Sequence, residues 1–231
     1  MPVITINGRM GSGAPEIGAQ IARLLEIDYV DRMIIARAAN RLGATVEAVA
    51  EREQKPLTRT DRIARFLEGV LERSAVAGAG GDPYFGPELG TMLGREYREL
   101  SCEPISRADE LDDRKFIEVT TDVIKEVAQA ENAVIIGRAG NLILKDFTPA
   151  FHVGVVGSLE QGVKIIEARE NLSEEEAKWR IQLQEKARLD FFGKFFKAQP
   201  ENPMDYHMVL NTDRFGHEQA AAIIVHAVKS M

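Results

Sequence analysis

The sequence is short of cysteine, of aromatics and of positive charge. Cys102 is the only cysteine among 231 residues, so neither an intrachain disulfide nor a cysteine-built zinc site is available. Aromatic residues make up 6%, which leaves a mostly aliphatic core. Lys and Arg number 29 against 36 Asp and Glu, a net charge of −7. An acidic chain is a poor candidate for wrapping duplex nucleic acid, although a local basic pocket for a small anion is still open to it. Long apolar runs are missing as well. Ala220–Val225 and Ala133–Ile136 fall far below the roughly 20 residues of a membrane span. The N-terminus opens on a strand-like run rather than a charged and then apolar signal, and a cytoplasmic protein is expected. His152, His207, His217 and His226 are scattered without ligand spacing, so no metal site is read from them. No Ser-His-Asp arrangement is legible.

What is present is an alternation of strands and helices. The length suits a single domain over residues 1–231. Val3-Ile4-Thr5-Ile6 reads as a strand buried on both faces. A glycine-rich turn follows, and Pro15 stands where a helix can start without needing its N–H. Ile17, Ile21, Leu24 and Leu25 mark the helix stripe. Tyr29-Val30-Asp31 is a second short strand, Ile34 to Leu42 a helix, and Thr45 a cap for the next one. Residues 54–108 change character: an apolar stripe from Ile63 to Leu71 precedes a Gly- and Pro-rich stretch, read as an inserted acceptor-side or cap segment. Arg59, Arg62 and Arg65 there read as a solvated helix face.

A long helix is expected from Glu110 to Glu131, then strands at Ala133–Ile136 and Phe151–Val156. Ser158 caps a helix. Ser173 with Glu176 forms a capping-box pattern for another that runs to about Phe196. Tyr206–Leu210 is a last strand and Phe215–Val228 a last helix. Alternation of this kind predicts an α/β fold, a parallel sheet with helices on both faces, and ligands outside the carboxyl ends of the strands.

Three turns lie at such ends: Gly8 to Gly13, Asp31, and Gly137 to Asn141. The first reads Gly8-Arg9-Met10-Gly11-Ser12-Gly13-Ala14-Pro15. Glycines let successive N–H groups point at phosphate oxygens, and the following helix adds its positive end. Ala14 stands where such loops carry lysine, and Pro15 where they carry Ser or Thr. The backbone can therefore cradle phosphate, but neither the cationic clamp nor the hydroxyl to Mg²⁺ is supplied. A tight turn that serves packing alone is the competing explanation.

With these stretches in view, the chain resembles the cytidylate kinase-like family, relatives of the P-loop nucleoside monophosphate kinases. The resemblance runs through Ile4–Gly18 with Tyr29-Val30-Asp31, Val134–Leu144, Ser173–Phe196 and Tyr206–Ala221. It implies a P-loop kinase fold, a transferase acting on ATP with Mg²⁺, and a nucleotide or similar small molecule as acceptor. Gly8, Arg9, Met10, Gly11, Ser12, Gly13 and Ala14 would then hold ATP phosphates. Asp31 would start the acceptor segment, or cap the helix after it. Arg37 is a candidate for the acceptor phosphate, or a solvated helix arginine. Gly137-Arg138 resembles the family's Gly-Arg-Asp, with Ala139 in place of the aspartate. Arg138 thus becomes a catalytic and substrate-binding candidate, its planar fork suited to phosphate.

The resemblance also implies lid helices over residues 173–200. Arg180, Gln184 and Arg188 lie four apart on one face there, and Arg180 and Arg188 join Arg138 as catalytic candidates. An ordinary charged helix, with Glu176–Arg180 and Gln184–Arg188 pairs, would give the same spacing. Phe191, Phe192, Phe195 and Phe196 are read as a lid-to-body contact or the contact of a homo-oligomer. Trp179 is expected to pack. Asn211-Thr212-Asp213 precedes the last helix, and Thr212 or Asp213 is expected to cap it. Three functions compete: phosphoryl transfer, nucleotide binding without turnover, and a structural oligomer.

Overall fold

The computed structural model describes residues 2–31, 107–130 and 132–231. Within them, five strands form one sheet: β1 (Val3–Gly8), β2 (Asp28–Val30), β3 (Ala133–Ile136), β4 (Ala150–Val156) and β5 (Met208–Asn211). Their spatial order is β2-β3-β1-β4-β5, and every pairing is parallel. The α/β expectation holds. Parallel neighbours need crossovers, and among the described residues these run through α1 (Ala14–Leu25), α2 (Arg107–Gln129), α3 (Gly140–Ile143), α4 (Leu159–Glu170) and α5 (Glu174–Phe191), while α6 (His217–Lys229) follows the last strand and packs back on the sheet.

The period of two along β1 divides the core. Ile4 and Ile6 face α1 and α6, where they meet Ile17, Ile21, Ala220 and Ile224. Val3 faces the other way, onto Val119, Val123 and Leu144 of α2 and the α3 turn. Thr5 and Asn7 share Val3's side but are polar, and each is paired. The Thr5 hydroxyl lies 2.8 Å from His152 Nδ1, and Asn7 Nδ2 donates to Asn141 Oδ1 at 2.6 Å. A buried amide without such a partner would cost roughly 1–3 kcal/mol.

Helix ends follow local chemistry. Ser158 Oγ accepts the Gln161 N–H, and Ser173 and Glu176 form the reciprocal box. After α5 the chain widens into a π-helical turn over Phe192–Phe196. There Phe191 and Phe192 are buried against Ala139 and Ala187, with Ile117 and Leu142 beside them. The phenylalanine cluster therefore packs the end of α5 against the turn after β3 and against α2.

Several boundaries differ from expectation by one to three residues, and for two of them the contacts show why. β5 starts at Met208, because Tyr206 turns its ring toward the preceding loop and donates its hydroxyl to Pro200 C=O at 2.5 Å. Burial pushes that phenol up to about 12. α6 starts at His217 behind Gly216, whose N–H is taken by Gln219 Oε1. The helix at Ile34–Leu42, the Thr45 cap and nearly all of the 54–108 segment lie outside the described residues. Residues 107 and 108 of that segment open α2 instead.

Candidate active site

The connection after β1 leads past β3 to β2, whereas the one after β4 leads the other way to β5. The chain therefore diverges above the carboxyl ends of β1 and β4, where open parallel sheets leave a crevice. Beside that point, above β1 and β3, lies a cleft that is partly open to solvent. Its lining includes Gly8, Arg9, Met10, Gly11, Ala14, Pro15 and Gly137, together with Arg169 and Arg188.

The loop Gly8–Gly13 is built by close approach. Gly11 has φ +82° and Gly13 φ +80°, in the left-handed region that favours glycine. A Cβ on Gly11 would stand 2.6 Å from Gly162 Cα in α4. A Cβ on Gly13 would stand 2.3 Å from His217 Nε2. The loop is thus wedged between the starts of α4 and α6. Its own turn is closed by Ser12 N–H to Arg9 C=O at 3.1 Å. The α1 ladder begins at Ile17 N–H to Gly13 C=O, 2.9 Å, so the Ala14 and Glu16 amides precede it.

This geometry fits a phosphate. Ser12 Oγ is buried and makes no hydrogen bond among the described residues, and it folds back over Gly8. The loop therefore brings together an unused hydroxyl, helix-start amides and glycine-only backbone, a combination suited to anionic oxygens. The same residues do not fit a protein-held Mg²⁺. Pro15 replaces the usual hydroxyl, and no carboxylate lines the cleft among the described residues. Nor do those residues contain a group of three or more His, Cys, Asp or Glu able to hold a metal.

Positive charge comes from three arginines, and sequence reasoning identified two. Arg9 lies in the loop. Arg188, 7% exposed, reaches the cleft from α5, with Nε and Nη2 bonded to Glu185 at 3.0 and 2.7 Å and Nη2 also paired with Glu201. Arg169, in the last turn of α4, is the one missed. Its Nη2 is 3.0 Å from Glu170 Oε1, and its Nη1 is 3.6 Å from Glu16 Oε1 behind the loop. The signal that would have found it is position, a cation in the last turn before the lid.

The other candidates are more dispersed. Arg180 is half-buried and pairs with Glu170, away from the cleft lining and not with Glu176. Gln184 is buried on the same face as Arg188. Arg138 is 1% exposed, at the end of β3, in a run of three positive φ values: Gly137 76°, Arg138 53° and Ala139 52°. Its neighbour Gly137 lines the cleft. Asp31 is half-buried at the end of the first described stretch, and Arg37 lies outside the described residues.

Two expectations are corrected. Neither Thr212 nor Asp213 caps α6, because Gly216 holds that position. Asp213 instead accepts the Ser158 N–H with both oxygens, at 3.0 and 2.9 Å, and so steadies the start of α4. Thr212 bonds the phosphate loop itself. Trp179 does not pack: it is 59% exposed, on the outer side of α5.

Comparison with known proteins agrees with this picture. No helix among the described residues is long and apolar enough to cross a membrane. An uncharacterized protein from Eubacterium ventriosum superposes with TM-score 0.63 at 13% identity, over 100% of both chains, which shows a shared fold. A shikimate kinase from Bacteroides thetaiotaomicron aligns at TM-score 0.45 and 14% identity, over 99% of this chain and 98% of its own. A shikimate kinase from Acinetobacter baumannii aligns at 0.46 and 13%, over 100% and 94%. No curated protein matches the sequence. The family model for cytidylate kinase-like proteins matches residues 3–214, nearly the whole chain, and the chain belongs to that cytidylate kinase-like family.

Proposed function

We propose that this protein transfers a phosphoryl group from ATP to a nucleoside monophosphate or a similarly small acceptor. The observation that carries the reading is the loop Gly8–Ala14 opening into a cleft that Arg9, Arg169 and Arg188 also line. Phosphoryl transfer asks little covalent chemistry of the protein and much positioning and charge. The loop backbone and Ser12 hydroxyl would hold the β and γ phosphates. Arg9, within the loop, would stand in for the absent lysine. Arg188 and Arg169 would offset charge on the transferring group and exclude water when the lid closes. Arg138 and Arg37 would meet the acceptor phosphate, with Asp31 opening the acceptor segment and Arg180 steadying the lid through Glu170. Mg²⁺ would arrive with the nucleotide, since the described residues offer it no ligand set.

A second reading is favoured by Ala14 and Pro15, which remove the lysine and the hydroxyl of an active loop. On that reading the protein binds nucleotide and signals or regulates without turnover. The experiment that separates them is a thermal-shift panel with Mg²⁺ and ATP, ADP, AMP, CMP, dCMP or UMP, followed by product analysis of any hit. A rise with ATP and with one monophosphate, and product formed from that pair, supports transfer. A rise without product over hours supports the binding protein. No rise with any nucleotide at millimolar level overturns both.

A further inference from the structure

The turn after β5 touches the phosphate loop across 200 positions of sequence. The Thr212 hydroxyl lies 3.0 Å from Ser12 C=O and 3.1 Å from Val156 C=O, while Thr212 N–H donates to Val156 C=O at 2.8 Å. Gly157 makes room for this contact, since a Cβ there would stand 2.9 Å from Thr212 Oγ1. Asp213, next in the chain, anchors the same turn to the Ser158 N–H.

A peptide unit is planar and trans, so its C=O and N–H point in opposite directions. Fixing Ser12 C=O toward Thr212 therefore fixes Gly13 N–H on the other side of the loop. Thr212, Ser12 and Gly13 stand behind the cleft lining, whereas Gly11 and Ala14 on either side of this peptide belong to it. We propose that Thr212 is a positioning residue for nucleotide binding: its hydroxyl sets the Ser12–Gly13 peptide so that the Gly13 amide is presented to phosphate. The inference rests on reading the cleft as a phosphate site. It matters more in this loop than in one with a lysine, because Ala14 leaves the backbone to supply more of the binding. Gly13 also needs its orientation held from outside, since φ +80° is one of several wells open to glycine.

The test is titration calorimetry of the full-length protein with Mg²⁺ and ATP, in wild type, Thr212→Val, Thr212→Ser and Asp213→Asn, with a thermal midpoint for each. Valine keeps the shape and loses the donor, and serine keeps the donor. Thr212→Ala runs alongside in case the valine is poorly accommodated. The expected result is affinity weaker by about tenfold in Thr212→Val and Thr212→Ala, the scale of one lost hydrogen bond, and near wild type in Thr212→Ser. Asp213→Asn, which loosens the same turn without touching the loop, should lower the midpoint and leave ATP affinity within about twofold. Equal affinity in wild type and Thr212→Val would overturn the proposal and leave the phosphate site standing. So would an equal loss in Asp213→Asn, which would mean general loosening. A wild type that binds neither ATP nor inorganic triphosphate would overturn the phosphate site and the role of Thr212 together.

Discussion

The two sides of the cleft are built by different means. On the loop side, position is set by loop backbone packed tightly against its surroundings. Gly11 lies against Gly162, Gly13 against the His217 ring, and Ser12 C=O against Thr212. On the lid side, position is set by charged side chains. Arg188 is held by Glu185 and Glu201, Arg180 by Glu170, and Arg169 by Glu16 and Glu170. Close-packed backbone has no second arrangement nearby, because a shift of half an ångström meets hard repulsion. Charge pairs tolerate changes of distance and angle that packed backbone does not, because Coulomb attraction falls off slowly with separation. On the proposed reading, phosphoryl transfer would draw on both properties, a fixed cradle for the donor phosphates and cations able to re-aim.

The largest effect should come from breaking the rigid side. Gly11→Val places a branched side chain at φ +82° and directly on Gly162. We expect roughly 3 kcal/mol of lost stability, read by urea unfolding, along with loss of ATP binding. A variant as stable as wild type would mean that the loop is far more pliable than its contacts indicate.

Arg188→Ala tests the adjustable side. Turnover should fall by about 10²–10³-fold, the scale of losing one charge that stabilises the transition state. The thermal midpoint should fall as well, because Arg188 is buried and its loss leaves Glu185 without its partner, but the folded fraction should still show the lost turnover. A collapse of stability with unchanged activity per folded molecule would reverse the assignment and make Arg188 a structural residue.

The floor beneath the loop gives a pH-dependent test. Burial, and then the nearby His207, lower the His152 pKa to about 4, below the roughly 6.5 of an unfolded histidine. The unfolded chain therefore binds the extra proton first, and the stability contribution is full above pH 6.5 and lost as pH falls toward 4. The change should be roughly 3 kcal/mol at most. Urea unfolding at pH 7 and pH 4.5 measures it, and His152→Asn should flatten the difference. An equal pH dependence in that variant would place the sensitive group elsewhere. The smallest effect belongs to Trp179, whose ring is mostly in water: Trp179→Ala should change stability by less than about 0.5 kcal/mol in the same urea assay.

Some of this was legible from residue order alone. β3 was placed residue for residue at Ala133–Ile136, since four consecutive apolar residues between turns are readable as a doubly covered strand. The Ser158 and Ser173 caps were readable because a cap is satisfied within three residues of itself. The loop at Gly8–Gly13 was readable because its glycines follow a strand and precede a helix. What depends on distant pairing was not legible. Thr212 and Asp213 looked like caps for the next helix, the nearest use for such residues, and the fold gave them partners at Ser12 and Ser158 instead. Trp179 looked like core on hydrophobicity alone, but which face of α5 turns inward is decided by the packing of Ala177, Ile181, Gln184 and Arg188.

Local sequence thus determined most of the described elements, their order, and the glycine loop after β1 with Ala14 and Pro15 at its end, because propensity, capping and glycine geometry act over a few residues. The tertiary structure decided which cations share the cleft, what holds each of them, and what clamps the loop, because those contacts join segments whose separation in sequence carries no trace of their proximity in space.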